Sequence, residues 1–489
     1  MPNIGFIRNT TLDLGHGYLV VLDESCSTDK SNRTKAYGGY ALPNHRLRFI
    51  FNMTSILHRS LAKTYPNAVG GDGVYLVAAN GQKVLDGSSG AAVSCLGHSH
   101  QAVINAIIKQ AQTLSFAHTS FFTNDPAEQL AALLIDQSGS AFSKVTFFSS
   151  GSEAVESALK LARHYHLCNN EPDRVNIIGR KHSYHGNTLG ALAAGWNPAR
   201  RDQYAPLLSP AFHHVSRCFY SQDAAKGETP GQYVERLIKE YDEMFQQLGP
   251  TTIAAVIVEP VVGATLGSVP AVEGYLNPLR KLCDQYGSLL IYDEVMCGMG
   301  RAGTLHAWQS LGGPPPDMQT IGKGLAAGYQ PLSAVLVNSR ISEKLQQSSK
   351  SRVFLSGHTY QAHAIGCAAG LAVQQTLIND NLLQNVRGMG AYLVSRLTQQ
   401  LPKSAVREIR GIGLFQTVEF APIDPSGSPL ASEVASLTFE KGAAVYLCSP
   451  AVDAVLFCPS FIISKSQVDE LVGSFTAAVT EIMDRRKLR

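Results

Sequence analysis

The stretches LLIYDEVMCGMGRAG, residues 289–303, and PDMQTIGKGLAAGYQP, residues 316–331, decide how the rest of the chain is read. Leu289 to Tyr292 has the length and apolar character of a short buried strand, and Asp293 follows it directly. Open α/β sheets bind ligands at the carboxyl ends of their strands, so this aspartate stands where a crevice is expected. Downstream, Lys323 lies between Gly322 and Gly324, whose missing side chains permit close approach of a bulky group. Alone, each residue has a plainer reading: an Asp after a strand is a turn or cap residue, and a Lys is a solvated surface charge.

As a pair, the two suit one cofactor. Pyridoxal 5'-phosphate needs a lysine amine for its aldehyde and a carboxylate to keep its ring nitrogen protonated. Further upstream, KVTFFSSGSEAVESALKLAR, residues 144–163, reads as a strand, a turn of small residues and a helix with apolar Val155, Ala158, Leu159 and Ala162. Such a turn aims backbone N–H groups and the positive end of the helix dipole at one point, where a phosphate would be held. The same residues also spell an ordinary Ser-capped helix, with Ser150 or Ser152 as cap and Glu153 or Glu156 complementing the dipole. Between the two regions lies RKHSYHGNTLGALAA, residues 180–194. There Tyr184, followed by His185 and Gly186, offers either a flat face for a heteroaromatic ring or plain core packing.

Together the segments SSGSEAVESALKLAR, SYHGNTLGAL, IVEPVVGA, DEVMCGMGRAGTLHAW, PDMQTIGKGLAAGYQPLSAV and GHTYQAH resemble the class III aminotransferases, fold type I pyridoxal-phosphate enzymes. The resemblance runs from about Leu57 to the C-terminus. It implies that Lys323 is the Schiff-base lysine and the proton carrier at the substrate α-carbon, and that Asp293 pairs with the ring nitrogen. Gly151 and Ser152 match the phosphate turn, Tyr184 with its neighbour His185 the ring-stacking position, and Val295 the apolar residue on the opposite ring face. Thr359 matches a residue that reaches the phosphate in the neighbouring subunit, which implies a homodimer with shared active sites. Glu259 matches a glutamate at the substrate end of the pocket.

Departures from the family pattern bear on the substrate. Many members carry an arginine ahead of a C-terminal Pro-Pro pair, where this chain reads AVLFCPSFII and places Leu456. Met296 stands where some subfamilies have a glutamine that reaches the ring hydroxyl, and methionine is a poor substitute for that bond. Gln361 and Ala362 replace smaller residues after the His-Thr-Tyr triplet.

Bulk properties frame these motifs. The chain has 489 residues, 45% hydrophobic and 16% charged, with a formal charge of +3, as in a soluble globular protein. No basic run with interleaved aromatics points to nucleic acid, and no stretch is long enough to span a membrane. Nine cysteines without a Cys-x-x-Cys pair indicate neither a disulfide framework nor a metal site, so a reducing cytoplasm is expected. Residues 1–56 read as an appendage, polar and poorly ordered over Asp23 to Asn44. The glycosylation-type triplets starting at Asn9, Asn32 and Asn52 are read there as chance.

From Gln101 onward, helical patterns alternate with strands expected at Val145–Phe148, Val175–Gly179, Ile253–Glu259, Leu289–Asp293 and Ser333–Val337. The expectation is an α/β fold of type I: a large, mostly parallel domain over 101–345 and a smaller α+β domain from 57–100 and 346–489. The smaller domain would contain a hairpin turning at Asn80-Gly81 and a C-terminal helix striped by Val468, Leu471, Val472, Phe475, Val479 and Ile482. The function expected is ping-pong transfer of an amino group from a small amine or amino acid to a keto acid or aldehyde. A lyase or decarboxylase on the same fold, or an inactive binding protein, is the alternative.

Overall fold

Continuous apolar runs set the centre of the fold. The computed structural model describes residues 54–348, 353–422 and 427–487, with the backbone of strands at Thr10–Asp13, Leu19–Leu22 and Leu47–Phe49. The segment Asp23 to Asn44 and the asparagines Asn9, Asn32 and Asn52 lie outside the described residues. By contacts the chain divides into two units, Met1–Asn67 and Ala68–Arg489. In the first, the three short strands pair antiparallel in chain order.

The second unit is built on a seven-stranded sheet. Its strands are β1 (Lys144–Phe148), β2 (Asn176–Arg180), β3 (Phe212–Val215), β4 (Ile253–Val258), β5 (Leu289–Asp293), β6 (Met318–Ile321) and β7 (Ser333–Val337). They lie in the order β1-β7-β6-β5-β4-β2-β3. All run parallel except β7, which is antiparallel to both β1 and β6. Every residue of β4, β5, β6 and β7 is buried, as expected of strands covered on both faces.

Two of these strands do not show in the sequence pattern. β3 reads FHHV, with polar residues at its centre. β6 reads MQTI, and its polar Gln319 and Thr320 are fully buried because each has a partner in the site below. The reversal of β7 follows from its link: residues 322–332 join it to β6, whereas a parallel return needs a crossover of a dozen or more residues, usually a helix.

A smaller α+β region is assembled from both ends of this unit. Ala443–Ala444 pairs parallel to Lys83–Asp86, which forms the expected hairpin with Tyr75–Ala78 and so joins a sheet whose other edge is Ala68–Asp72. Gly81 takes φ +85° in the turn, a conformation glycine adopts without strain. The helix Lys465–Lys487 buries all six residues of its expected stripe in one core cluster, each worth roughly 1.5–3 kcal/mol when fully buried.

Candidate active site

The carboxyl ends of five parallel strands converge on one place. β1 ends at Phe148 and is followed by the turn into helix α1 (Gly151–Cys168); β2 leads to Tyr184 and His185; β4 leads to Glu259; β5 ends in Asp293; β6 leads to Lys323. This is the crevice position of an open α/β sheet.

Asp293 is 5% exposed and both its oxygens are engaged. Oδ1 accepts from Thr320 Oγ1 at 2.9 Å and from the Val295 amide at 3.1 Å, and Oδ2 lies 2.8 Å from His185 Nδ1. A buried carboxylate is stable only when donors replace its water, and here they also fix its rotamer. His185 is itself buried, and its Nε2 has no partner among the described residues.

Lys323 opens the short helical turn Lys323–Leu325 with φ +43°, left-handed for a residue with a side chain. Such a conformation costs on the order of 1–3 kcal/mol and persists where its surroundings impose it. Burial holds the amine below the ordinary lysine pKa, and the negative charge of Asp293 opposes this only in part. Among the described residues its amine makes no hydrogen bond or ion pair.

At the start of α1, Ser150 and Glu153 form a capping box that occupies the amides of Ser149, Ser150 and Glu153. The amides of Gly151 and Ser152 are left without partners among the described residues, at the positive end of an eighteen-residue helix. The Ser152 hydroxyl accepts from the Asn187 amide at 3.0 Å. Val295 fills the space beside both the helix start and the lysine. A Cβ at Gly151 would lie 2.7 Å from Val295 Cγ1, and one at Gly322 would lie 3.4 Å from the same methyl.

Glu259 is buried, with Oε1 accepting from the Tyr184 amide at 3.1 Å and Oε2 from the Gly263 amide at 3.0 Å. Burial raises its pKa; Asp293 adds to this and His185 opposes it. The half-buried Tyr184 ring has the Arg200 guanidinium 5.4 Å from its centre.

Thr359 comes from a different part of the chain. It is exposed and sits in the segment preceding helix α2 (Ala364–Asn379). Its neighbours fasten that segment: the His358 ring packs 5.4 Å from Phe148, and Gln361 Nε2 donates to Thr146 Oγ1 at 2.9 Å. Leu456 is fully buried in an apolar cluster with Val261, Val262, Cys297 and Cys458, against which Met296 packs.

Sequence reading missed Thr320 and the support beneath the site. Glu294 accepts from the amides of Ala307 at 2.7 Å and Trp308 at 2.8 Å and from Gln319 Nε2 at 3.0 Å. Burial pushes its carboxyl up to about 8 despite those donors, and Asp293 beside it acts in the same sense. The available signal was a polar pair, Gln319-Thr320, inside a buried strand; that strand itself went unread. Among the described residues no cluster of His, Cys, Asp and Glu is arranged to hold a metal ion.

The profile of the family described as aminotransferase class III matches residues 59–479. The chain belongs to the class III aminotransferases. It is 41% identical over 429 residues to an aminotransferase from Gibberella zeae, covering 84% of this chain and 83% of that one. It is 32% identical to the diaminobutyrate–2-oxoglutarate transaminase of Halomonas elongata, covering 85% and 90%. Among solved structures it matches the omega transaminase of Pseudomonas jessenii in complex with PMP, with a TM-score of 0.80, 30% identity and coverage of 86% and 93%. This class III enzyme is therefore a pyridoxal-phosphate-dependent aminotransferase of fold type I. The donor set fits that cofactor: two helix amides without partners among the described residues for a phosphate, a fixed carboxylate, and an amine that makes no hydrogen bond or ion pair among the described residues. No described helix is long and apolar enough to cross a membrane.

Proposed function

We propose that Lys323 is the cofactor-binding lysine and proton carrier, that Asp293 holds the ring nitrogen protonated, and that Gly151 and Ser152 hold the phosphate. The observation that carries this reading is a buried amine, unpaired among the described residues and within electrostatic reach of a carboxylate gripped by three donors. Pyridoxal phosphate, when bound, supplies an electron sink for the pair left at the substrate α-carbon and stores the amino group between the two half-reactions. The residues do the rest. Burial lowers the Lys323 pKa and so favours the neutral amine, the form that takes a proton. The Asp293 carboxylate is pinned so that its charge sits at one point and needs no reorganisation. Val295 packs beside the helix start and Gly322, the Tyr184 amide is tied to Glu259, and His185 is tied to Asp293.

Lys323→Ala should abolish turnover and the visible absorbance of lysine-bound cofactor; a variant that still transaminates would sink the assignment.

The substrates are a small amine or amino-acid donor and a keto-acid or aldehyde acceptor, as the names of the transaminase relatives suggest. Leu456 is buried among apolar residues where many family members place arginine, and both Glu259 oxygens are taken by backbone amides. Recognition of a substrate carboxylate by an arginine from this position is accordingly ruled out of the proposal.

Thr359 is assigned to a partner subunit's phosphate, within a homodimer. Support comes from apolar side chains exposed around the same segment: Phe121 at 80%, Phe122 at 68%, Tyr360 at 61% and Leu355 at 88%. The large domain is taken as 101–345, with 57–100 and 346–489 forming the smaller one. No disulfide joins two of the eight described cysteines, in keeping with a cytoplasmic enzyme.

A further inference from the structure

Lys323 occupies a left-handed conformation, and the bonds of its own turn, from Leu325 N to Gly322 O and from Ala326 N and Ala327 N to Lys323 O, leave the carbonyls of Gly324 and Leu325 to be met from elsewhere. The next two carbonyls, of Gly324 and Leu325, point away from the crevice toward α2. Both are met there by one side chain: Gln374 Nε2 donates to Gly324 O at 3.1 Å and to Leu325 O at 2.9 Å. An amide NH2 carries two hydrogens, so the fork is used in full. The Cys95 thiol adds a long contact of 3.6 Å to Gly324 O. Gln374 is 1% exposed, and its own Oε1 has no partner among the described residues. A buried unsatisfied acceptor is destabilising, so the residue is poorly suited to its place as packing alone. One turn earlier, Gly370 lets the helix lie close: a Cβ there would be 2.7 Å from Leu332 Cδ2 and 3.5 Å from Leu325 O.

We propose that Gln374 is a positioning residue for Lys323, holding the two carbonyls that follow the lysine so that its amine stays at the crevice. The inference rests on Lys323 being the cofactor-binding lysine. Leucine at 374 fills similar space but donates nothing, leaving Leu325 O without its donor, Gly324 O with only the weak Cys95 thiol, and the turn free to relax from its left-handed start.

The experiment compares Gln374→Leu, Gln374→Asn and Val373→Ala. Val373 is fully buried on the same helix and in the main core, so its truncation lowers stability without touching the lysine turn. Two readouts are taken: the pH midpoint of the visible absorbance of lysine-bound cofactor, and, in cofactor-free protein, the acetylation rate of Lys323 by acetic anhydride, read by peptide mass spectrometry. For Gln374→Leu we expect a shifted midpoint, a changed labelling rate and a fall of about tenfold or more in kcat with KM little altered. Gln374→Asn, which keeps the amide but shortens the reach, should shift both readouts in the same direction by less. Val373→Ala should leave both at wild-type values. Wild-type readouts in either Gln374 variant, or the same shifts in Val373→Ala, overturn the proposal. The labelling rate reports the lysine's setting whether or not it binds cofactor, so failure here is distinct from failure of Lys323→Ala to abolish turnover.

Discussion

Replacing Gly151 with alanine adds one methyl group at the first turn of α1. Backbone preference does not oppose the change, because alanine is the better helix former by about 1 kcal/mol in a helix interior. Space does. The new Cβ would lie 2.7 Å from Val295 Cγ1 and 3.2 Å from Cγ2. Carbons rest at about 3.5–4.0 Å, so the groups must part by roughly 1 Å. Val295 cannot yield by a small rotation, since a β-branched side chain has few χ1 wells and its Cγ1 also borders Gly322. Overpacking of this kind costs about 1–3 kcal/mol. The strain falls between the phosphate amides and the lysine turn, so the Kd for pyridoxal phosphate should rise about 5- to 140-fold, at 1.4 kcal/mol per decade. The assay titrates cofactor-free protein with pyridoxal phosphate for wild type, Gly151→Ala, Val295→Ala and the double variant. Once Val295 is trimmed, adding Gly151→Ala should cost little, giving a coupling of about 0.5–3 kcal/mol. An unchanged Kd in Gly151→Ala, or a Gly151→Ala change as costly in the Val295→Ala background as in wild type, refutes the packing argument.

Glu294 predicts a pH signature. Its folded pKa, pushed up to about 8 by burial, exceeds the ordinary value of 4.5, so its stabilising share is complete below about pH 4.5 and is lost as pH rises through about 8. Denaturant midpoints across that window should fall for wild type and level out in Glu294→Gln; parallel slopes would contradict the reading. Leu456→Arg would bury an unpaired guanidinium among Val261, Val262, Cys297 and Cys458 and should lower the denaturant midpoint well below wild type, with Leu456→Met near wild type. A wild-type midpoint in Leu456→Arg would contradict the enclosure. Changing both Phe121 and Phe122 to serine should shift the species seen by light scattering from twice the 52.6 kDa chain mass toward one chain. A wild-type size at all dilutions would place the interface elsewhere.

The parts of this enzyme that sequence reveals are those whose physics is local. β4 and β5 announce themselves because strands buried on both faces must be apolar throughout. The Ser150–Glu153 capping box lies within four residues, and the stripe of the last helix repeats every turn. β6 was hidden for the opposite reason. Its Gln319 and Thr320 are polar because they serve Glu294 and Asp293, which come from another strand, and no local pattern reports that service. The reversal of β7 and the grip of Gln374 on the lysine turn are likewise pairings between distant segments. Leu456 could be marked as a departure from a motif, but only packing shows it enclosed among Val261, Cys297 and Cys458.

The antiparallel return of β7 limits how this chain can vary in length. Residues 322–332 form a loop closed at its base by the Ile321–Ala334 pair. A residue inserted at the far side of that loop bulges outward and leaves both strands in register. One inserted at the start of β6 slips the pairing and turns Gln319 and Thr320 each to the face opposite its present one. Asp293 would then lose a hydroxyl and Glu294 an amide in a single event. Insertions and deletions among descendants of this chain should therefore gather beyond the lysine turn and spare the four residues before Gly322.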